Sequence, residues 1–143
     1  MDRAIALTDV HAAIHHYAHT ARNDVDWTTK LHCFTPDAEI VLPNGARLPI
    51  AKMSEILRGN EAKYYRHHIT SVDIQFVGSD TANVVSQLFV ITHMSTHDHW
   101  GEWQYRFERG GDREWRIAEK VLVVDGCDPK GWYAETYGQI KRS

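Results

Sequence analysis

The sequence predicts a conical α+β domain, in which a strongly curved antiparallel or mixed sheet wraps around N-terminal helices. Helical segments come first and long strands separated by turn sequences follow, an order typical of this class. The chain has 143 residues, of which 43% are hydrophobic and 24% charged. This size and composition fit one domain over residues 1–143 and exclude a disordered or fibrous chain.

The helices are predicted from caps and from apolar residues at helical spacing. Thr8 or Asp9 can cap a first helix that ends near Asn23. Asp26 can cap a short second helix, and the segment KMSEILRG predicts a third helix that Gly59 ends. The apolar face of the first helix consists of Val10, Ile14, Tyr17 and Ala21.

The strands are predicted from apolar segments between turn sequences. AEIVL and ARLPI flank the turn sequence PNG and predict a hairpin. The turn sequences GSD, STHD and GGD then separate longer strands at hairpin spacing, which indicates antiparallel pairing. These strands are expected at residues 66–77, 81–94, 99–109 and 114–124.

The strand at residues 81–94 is apolar on both faces. Val84 and Leu88 alternate with Val85 and Phe89, so both faces need a cover. The helices would cover one face and a second subunit the other. A homodimer or homotrimer is therefore expected.

Charge and leader signals limit the class of partner and the location. The 16 Lys and Arg residues and 19 Asp and Glu residues give a formal charge of -3, without a run of like charge. Nucleic acid and membranes are therefore not expected partners. The N-terminal stretch lacks the apolar core of a signal peptide, which favours a cytoplasmic protein in which Cys33 and Cys127 stay reduced.

Two histidines, His67 and His68, begin the strand at residues 66–77. Because side chains alternate along a strand, His68 shares a face with Val72 and Ile74 and is predicted to point inward. His67 is predicted to point outward. A histidine on the wall of an apolar cone can remove a proton from a carbon next to a carbonyl group.

The order of elements and the segments SQLFVITH and REWRIAEKVLVVDG resemble the nuclear transport factor 2-like superfamily over essentially the whole chain. This superfamily includes ketosteroid isomerase, limonene epoxide hydrolase, polyketide cyclases and scytalone dehydratase. The pair Asp26-Trp27 and the run KLHCFTP, with Cys33 and Pro36, are most similar to scytalone dehydratase and bile-acid dehydratases.

The resemblance implies a catalytic pair. His68 and His93 stand at the separation of the two active-site histidines of the dehydratase, which makes His68 the base and His93 the acid. The aspartate that orients the first histidine there aligns with Asn23, and Asp24 is one position along. We expect Asp24 to hold the tautomer of His68, with the Asn23 amide as the rival.

Other positions are assigned to the substrate pocket. The tyrosines that hold the departing water in the dehydratase fall on Arg22 and Leu42, and its active-site asparagine falls on Gln104. By alternation Gln104 points outward, unless a bulge near Gly101 changes the register. The aromatic side chains expected to line the pocket are Tyr17, Trp27 and Trp103.

The C-terminal segment DGCDPKGWYAETYGQI carries Trp132, Tyr133 and Tyr137 without a polar face. These aromatic residues either cover the sheet or a subunit contact, or form a lid over the mouth of the cone, as the C-terminal segment does in scytalone dehydratase. A lid would place Trp132 against the substrate.

No cofactor or metal is predicted. The segment HMSTHDH and the helix face with His11, His15 and His19 lack a recognised ligand pattern, and a phosphate-binding loop is absent. The sequence predicts a cofactor-free dehydratase, isomerase or cyclase acting on a small cyclic hydrophobic substrate. The alternative is a non-catalytic ligand-binding or accessory protein of the same fold, including the small subunit of a ring-hydroxylating oxygenase.

Overall fold

The helices pack on one face of a six-stranded sheet, as the sequence predicts. The computed structural model describes residues 1–57 and 59–138. Its strands are β1 (Phe34–Val41), β2 (Arg47–Pro49), β3 (Tyr65–Phe76), β4 (Thr81–Thr92), β5 (His99–Arg109) and β6 (Trp115–Cys127). Its helices are α1 (Arg3–Thr20), α2 (Trp27–Leu31), α3 (Met53–Leu57) and α4 (Trp132–Tyr137), with a 3₁₀ turn at Ile50–Lys52.

The sheet is mixed, curved and unclosed, with strand order β2-β1-β6-β5-β4-β3. All neighbouring strands pair antiparallel except β1 and β6, which are parallel. The predicted hairpin and the three long antiparallel pairs are therefore confirmed. The parallel pair arises because the chain returns to the edge of β1 only after the meander.

The first helix begins earlier than predicted. Asp2 is its N-cap and accepts hydrogen bonds from two backbone N–H groups of the first turn, so Thr8 and Asp9 lie inside the helix. The helix ends at Thr20 rather than near Asn23. Among the described helices, none combines the length and the apolar character needed to cross a bilayer.

The next helices follow the predicted caps more closely. Asp26 caps α2 by accepting a hydrogen bond of 2.7 Å from the Thr29 backbone N–H. The third helix occupies Met53–Leu57, and residue 58 lies outside the described residues. Gly59 follows with φ +83°, a left-handed conformation that suits the end of a helix.

The core lies between α1 and the concave face of the sheet. Val10 and Ile14 of α1 are completely buried, as are Phe107 of β5 and Ile117 of β6. Burying each of these side chains contributes about 1.5–3 kcal/mol. The first helix thus packs against the concave face of the sheet and brings Tyr17, near its C-terminal end, into the same buried cluster.

A β-bulge interrupts β3. Ile69 pairs with Leu88, whereas Ser71 pairs with the next residue of β4, Gln87. Thr70 is therefore an extra residue without a partner of its own. Such a bulge shifts the alternation of side chains by one position.

The bulge makes the predicted orientation of the histidine pair wrong. Val72 and the apolar residues after it face the interior, but before the bulge the inward positions are those of His67 and Ile69. His68 is exposed on the outer face, where its ring stacks on Phe89 with 4.9 Å between the ring centroids.

A second bulge, in β6, turns a lysine inward. Phe107 of β5 pairs with Ile117, and the residue before Phe107 pairs with Glu119, so Ala118 is extra. Strict alternation from Ile117 would place Glu119 inside the cone. The extra residue places Lys120 there instead, where it is 3% exposed.

The outer face of β4 carries apolar side chains that a second subunit could cover. An oligomer therefore stays a prediction. Val85 is 37% exposed on this face, and Phe89 lies between the rings of His68 and His97. Light scattering at micromolar concentration is expected to give a multiple of 16.5 kDa, and Val85→Glu is expected to lower it. A wild-type monomer would contradict the prediction.

Candidate active site

The predicted orienting carboxylate is not beside a histidine. Asp24 is exposed, and both of its oxygens accept hydrogen bonds from Arg22, at 2.8 and 2.6 Å. The Arg22 guanidinium lowers the pKa of the Asp24 carboxyl group. The expectation that Asp24 orients His68 is therefore not met, because Arg22 occupies the carboxylate and His68 lies on the opposite face of the sheet from the cone.

Asn23 and His93 both hold the loop that leads into β3. Asn23 Nδ2 donates hydrogen bonds to the carbonyl oxygens of Ala62 and Lys63, at 2.8 and 3.0 Å. His93 Nδ1 accepts a hydrogen bond of 3.2 Å from the Lys63 backbone N–H. Both residues therefore help to position the loop at residues 62–63, which leads into β3.

Gln104 points outward, as alternation predicts, and so does not line the cone. It is exposed, and its Nε2 donates to Glu102 Oε2 at 3.2 Å. A bulge does lie beside Gly101, but its extra residue belongs to β6 and leaves the alternation of β5 unchanged. A Cβ atom on Gly101 would lie 1.9 Å from Val123 O, so only glycine fits there.

The remaining predicted pocket residues lie on the core side of the sheet. Tyr17 and Trp103 are 8% and 5% exposed, with 5.4 Å between their ring centroids. Trp27 and Leu42 are partly buried and pack against the same cluster. Lys30 Nζ covers the Trp27 ring at 4.6 Å from its centroid.

His67 is the histidine that lines the cone. Its Nδ1 is fully buried and has no hydrogen-bond partner among the described residues, and its ring lies 4.9 Å from that of Trp103. Burial, then the charges of Lys120 and His99, lower the pKa of His67 well below 6.5, although a hydrogen bond to the Ala21 backbone opposes them. The imidazole is therefore neutral at pH 7, the form that accepts a proton.

Lys120 is a buried amine in contact with the same tryptophan. Its Nζ donates a hydrogen bond of 2.6 Å to Tyr17 Oη and lies 3.6 Å from the centroid of Trp103 and 4.3 Å from that of Tyr17. Within residues 1–57 and 59–138, no carboxylate forms an ion pair with it.

Burial decides the protonation of this amine. Each aromatic face favours the ammonium form by about 0.5–2 kcal/mol, whereas burying an unpaired charge costs several kcal/mol. Burial therefore lowers the pKa of Lys120 well below 10.5. The phenol beside it stays protonated, because burial raises the pKa of Tyr17.

Asp98 is a completely buried carboxylate in the connection between β4 and β5, which we call the end of the cone. It accepts four hydrogen bonds: from Thr92 Oγ1 at 2.7 Å, His99 Nδ1 at 2.8 Å, and the backbone N–H groups of Trp132 and Tyr133 at 2.6 and 3.1 Å. Burial raises the pKa of Asp98, but these hydrogen bonds outweigh burial and lower it below its ordinary value. Asp98 thus joins β4, β5 and α4.

His99 faces the interior on the same row as His67. Val90 of β4 pairs with His67 on one side and His99 on the other, so the two histidines lie about 10 Å apart across one strand. Because Nδ1 of His99 donates to Asp98, Nε2 is its acceptor nitrogen. Burial lowers the pKa of His99, and Asp98 opposes the shift.

The C-terminal helix α4 lies against this end of the cone. Trp132 is 8% exposed, and its ring meets the Tyr65 ring edge to face at 5.1 Å. Its Nε1 donates to Asn60 O at 3.0 Å. Trp132 therefore covers Tyr65, whose ring centroid lies 6.1 Å from that of His67. Whether α4 acts as a movable lid or as a fixed cover stays a prediction.

The sequence matches one protein family over most of its length. The sequence model of the SnoaL-like domain family matches residues 2–121. The chain belongs to the SnoaL-like domain family. This family lies within the nuclear transport factor 2-like superfamily, so the resemblance predicted from the sequence is confirmed.

Solved structures share the fold of this SnoaL-like protein. A variant of Rv3472, a Mycobacterium tuberculosis protein of unknown function, is 24% identical with a TM-score of 0.74, over 87% of this chain and 79% of that one. Hexachlorocyclohexane dehydrochlorinase LinA-type3 from Novosphingobium barchaimii LL02 is 11% identical with a TM-score of 0.75, over 89% and 91%. A scytalone dehydratase-like protein from Novosphingobium aromaticivorans is 16% identical with a TM-score of 0.68, over 85% of each chain.

None of the curated proteins compared with this SnoaL-like sequence matches it. Likeness at these identities establishes the fold, while the chemistry depends on the residues in the cone. In the part of the chain that the structure describes, no three His, Cys, Asp or Glu side chains are grouped so that they could hold a metal ion.

Proposed function

We propose that this SnoaL-like protein is an acid–base lyase or isomerase that removes a proton from a carbon next to a carbonyl group. The observation that carries the proposal is the buried, unpartnered Nδ1 of His67 on the concave face of the sheet. A buried polar atom without a partner is costly, and a ligand in the cone would provide the missing contact. The base is thus His67 rather than His68.

The groups around His67 suit proton abstraction. A neutral imidazole takes the proton, and negative charge then develops on the carbonyl oxygen of the substrate. Lys120 and Tyr17 supply N–H and O–H donors inside the same water-poor space and can stabilise that oxygen. Trp103, which contacts His67, Lys120 and Tyr17, offers a flat apolar wall for a small cyclic substrate.

A second proton-transfer group, His99, can act as the acid in either an elimination or an isomerisation. His99 lies across Val90 from His67, and Asp98 fixes its tautomer. With a proton on Nε2 as well, His99 protonates a leaving hydroxyl group to complete a dehydration, or a neighbouring carbon to complete an isomerisation, and the proton that His67 removed from the substrate then restores this form. His99 therefore replaces His93 as the proposed acid. The reaction written in this way needs no cofactor.

The named structures of similar fold support an elimination. One is a dehydrochlorinase and another is scytalone dehydratase-like, and both names describe loss of a small molecule from a carbon framework. The apolar lining of the cone favours a hydrophobic substrate of that kind.

Exchange of carbon-bound hydrogen for deuterium tests the proposal without a known substrate. Cyclic ketones and hydroxyketones are incubated with the purified chain in deuterated buffer, and loss of the α-proton signal is followed by NMR. We expect enzyme-dependent exchange of at least one compound at about 10² times the buffer rate or more. Exchange at the buffer rate for every compound that binds would contradict the proposal.

The second candidate function is ligand binding without catalysis. Asn23, where the resemblance places a catalytic aspartate, instead donates hydrogen bonds from Nδ2 to the backbone carbonyl oxygens of residues 62 and 63. A binding protein is therefore favoured if compounds perturb the Trp103 signal in titrations and yet undergo no exchange.

A further inference from the structure

We propose that Lys120 is a nucleophile that forms an imine with the carbonyl group of an aldehyde or ketone ligand inside the cone. This inference goes beyond proton removal by His67, because it assigns a covalent site to a residue on another strand. Formation of the imine does not require His67 to act as a base.

The first support is the chemical state of the amine. Of the lysines that the structure describes, Lys120 is the buried one, whereas Lys52, Lys63 and Lys130 are exposed. Exclusion from water without a carboxylate partner favours the neutral amine, which is the nucleophilic form, and lysines in apolar pockets are activated in this way. The direction of the pKa shift of Lys120 agrees with this geometry.

The second support is the contact that positions the amine. Nζ lies 2.6 Å from Tyr17 Oη, so the phenol holds the amine in place inside the cone. The Trp103 ring, whose centroid lies 3.6 Å from Nζ, forms an apolar wall beside the amine.

The third support is the bulge that places the side chain. Because Ala118 is extra in β6, Lys120 lies inside the cone, and Glu119 bonds to Arg47 outside it at 2.6 Å. Bulges are common where a strand directs one side chain into a functional site. A solvated lysine would need no such irregularity.

A row of aromatic contacts links the end of the cone to the amine. Trp132 of α4 packs on Tyr65, Tyr65 lies 6.1 Å from His67, and His67 lies 4.9 Å from Trp103, which covers Lys120 Nζ. A flat carbonyl compound admitted when α4 moves aside would pass along this row. It would then meet the buried Nδ1 of His67 and the amine.

The covalent step balances without an oxidant or reductant. The Nζ lone pair attacks the carbonyl carbon and a C–N bond forms. The two protons of the amine move to the former carbonyl oxygen, the C–O bond breaks, and one water molecule leaves. Amine and carbonyl compound thus give imine and water. Where the proposed function also holds, protonation of the imine acidifies the neighbouring C–H bond that His67 attacks.

Reductive trapping tests the inference. The intact protein is incubated at pH 7 with benzaldehyde or cyclohexanone and sodium cyanoborohydride, and adducts are located by peptide mass spectrometry. We expect one adduct at Lys120, formed at least about 10-fold faster than at any exposed lysine, because only a neutral amine attacks a carbonyl carbon and burial favours that form at Lys120. Lys120→Arg and Lys120→Met should lose the adduct, and the matched control Lys63→Arg should keep it.

The outcomes separate this site from the proposed function. His67→Gln should still be trapped at Lys120, even if its deuterium exchange is lost. Labelling that spreads over the exposed lysines equally in wild type and Lys120→Met would overturn the inference. Labelling of Lys120 only after urea unfolding would overturn it as well, since the amine would then be closed to ligands in the folded protein.

Discussion

Replacing Asp98 with alanine is expected to lower the free energy of unfolding by about 4 kcal/mol or more. The change leaves four donors at the end of the cone without their acceptor, including the backbone N–H groups of Trp132 and Tyr133. Each buried donor left unsatisfied costs about 1–3 kcal/mol. Urea unfolding followed by tryptophan fluorescence measures the loss.

The control and the pH dependence make this prediction specific. Asp112 is paired with Arg116 at the surface, so Asp112→Ala should cost far less stability than Asp98→Ala. The pKa of Asp98 is lowered in the folded state, so its contribution is present above the unfolded pKa and is lost as pH falls through the folded pKa. The difference between wild type and Asp98→Asn should therefore shrink at acid pH. Equal stability of Asp98→Ala and wild type at pH 7 would contradict the structure.

Lys120→Met is expected to stabilise the protein at pH 7, by about 1–4 kcal/mol, because it removes a buried amine that has no carboxylate partner. Folding lowers the pKa of Lys120, so the unfolded chain binds more protons and wild-type stability rises with pH up to about 10.5. The advantage of the methionine variant should thus decline between pH 7 and pH 10.

Thermal unfolding over this pH range checks the prediction, with Lys52→Met as the exposed control. The control should change stability by less than about 0.5 kcal/mol at every pH. A methionine variant that is less stable than wild type by the same amount at pH 7 and pH 10 would show a charged amine held by Trp103 and Tyr17.

The fold could be predicted because its signals are local. Asp26 begins α2, the turn sequence PNG joins β1 and β2, and the turn sequence STHD separates β4 from β5. The apolar pattern indicates too late a start for α1, because its cap Asp2 lies at the extreme N-terminus, outside the run of apolar residues. Caps and turns thus gave the elements and their order.

The site could be predicted only in part, because two bulges reverse the alternation. In β3 the adjacent polar residues Thr70 and Ser71 between Ile69 and Val72 are the signal of the bulge, and they show why His67 and not His68 faces the cone. Tyr17 and Trp103 were found from side-chain type, since neither depends on a bulge.

Lys120 and the pair Asp98–His99 were missed for different reasons. A lysine beside the apolar run VLVV reads as an outward residue until Ala118 is recognised as extra. Asp98 lies in the turn sequence STHD, which predicts a connection between two strands and gives no signal of a buried carboxylate. Its burial results from the return of α4, a contact between distant parts of the chain that no local pattern reveals.

The deuterium-exchange rate of His67→Gln beside that of His68→Gln tests the central claim most directly. The two histidines are adjacent in sequence, but one lines the cone and the other is exposed on the outer face. For the compound that wild type exchanges fastest, His67→Gln should lose about 100-fold or more of the rate at unchanged thermal stability, and His68→Gln should stay within about twofold. Full activity of His67→Gln, or an equal loss in His68→Gln, would contradict the assignment of His67 as the base.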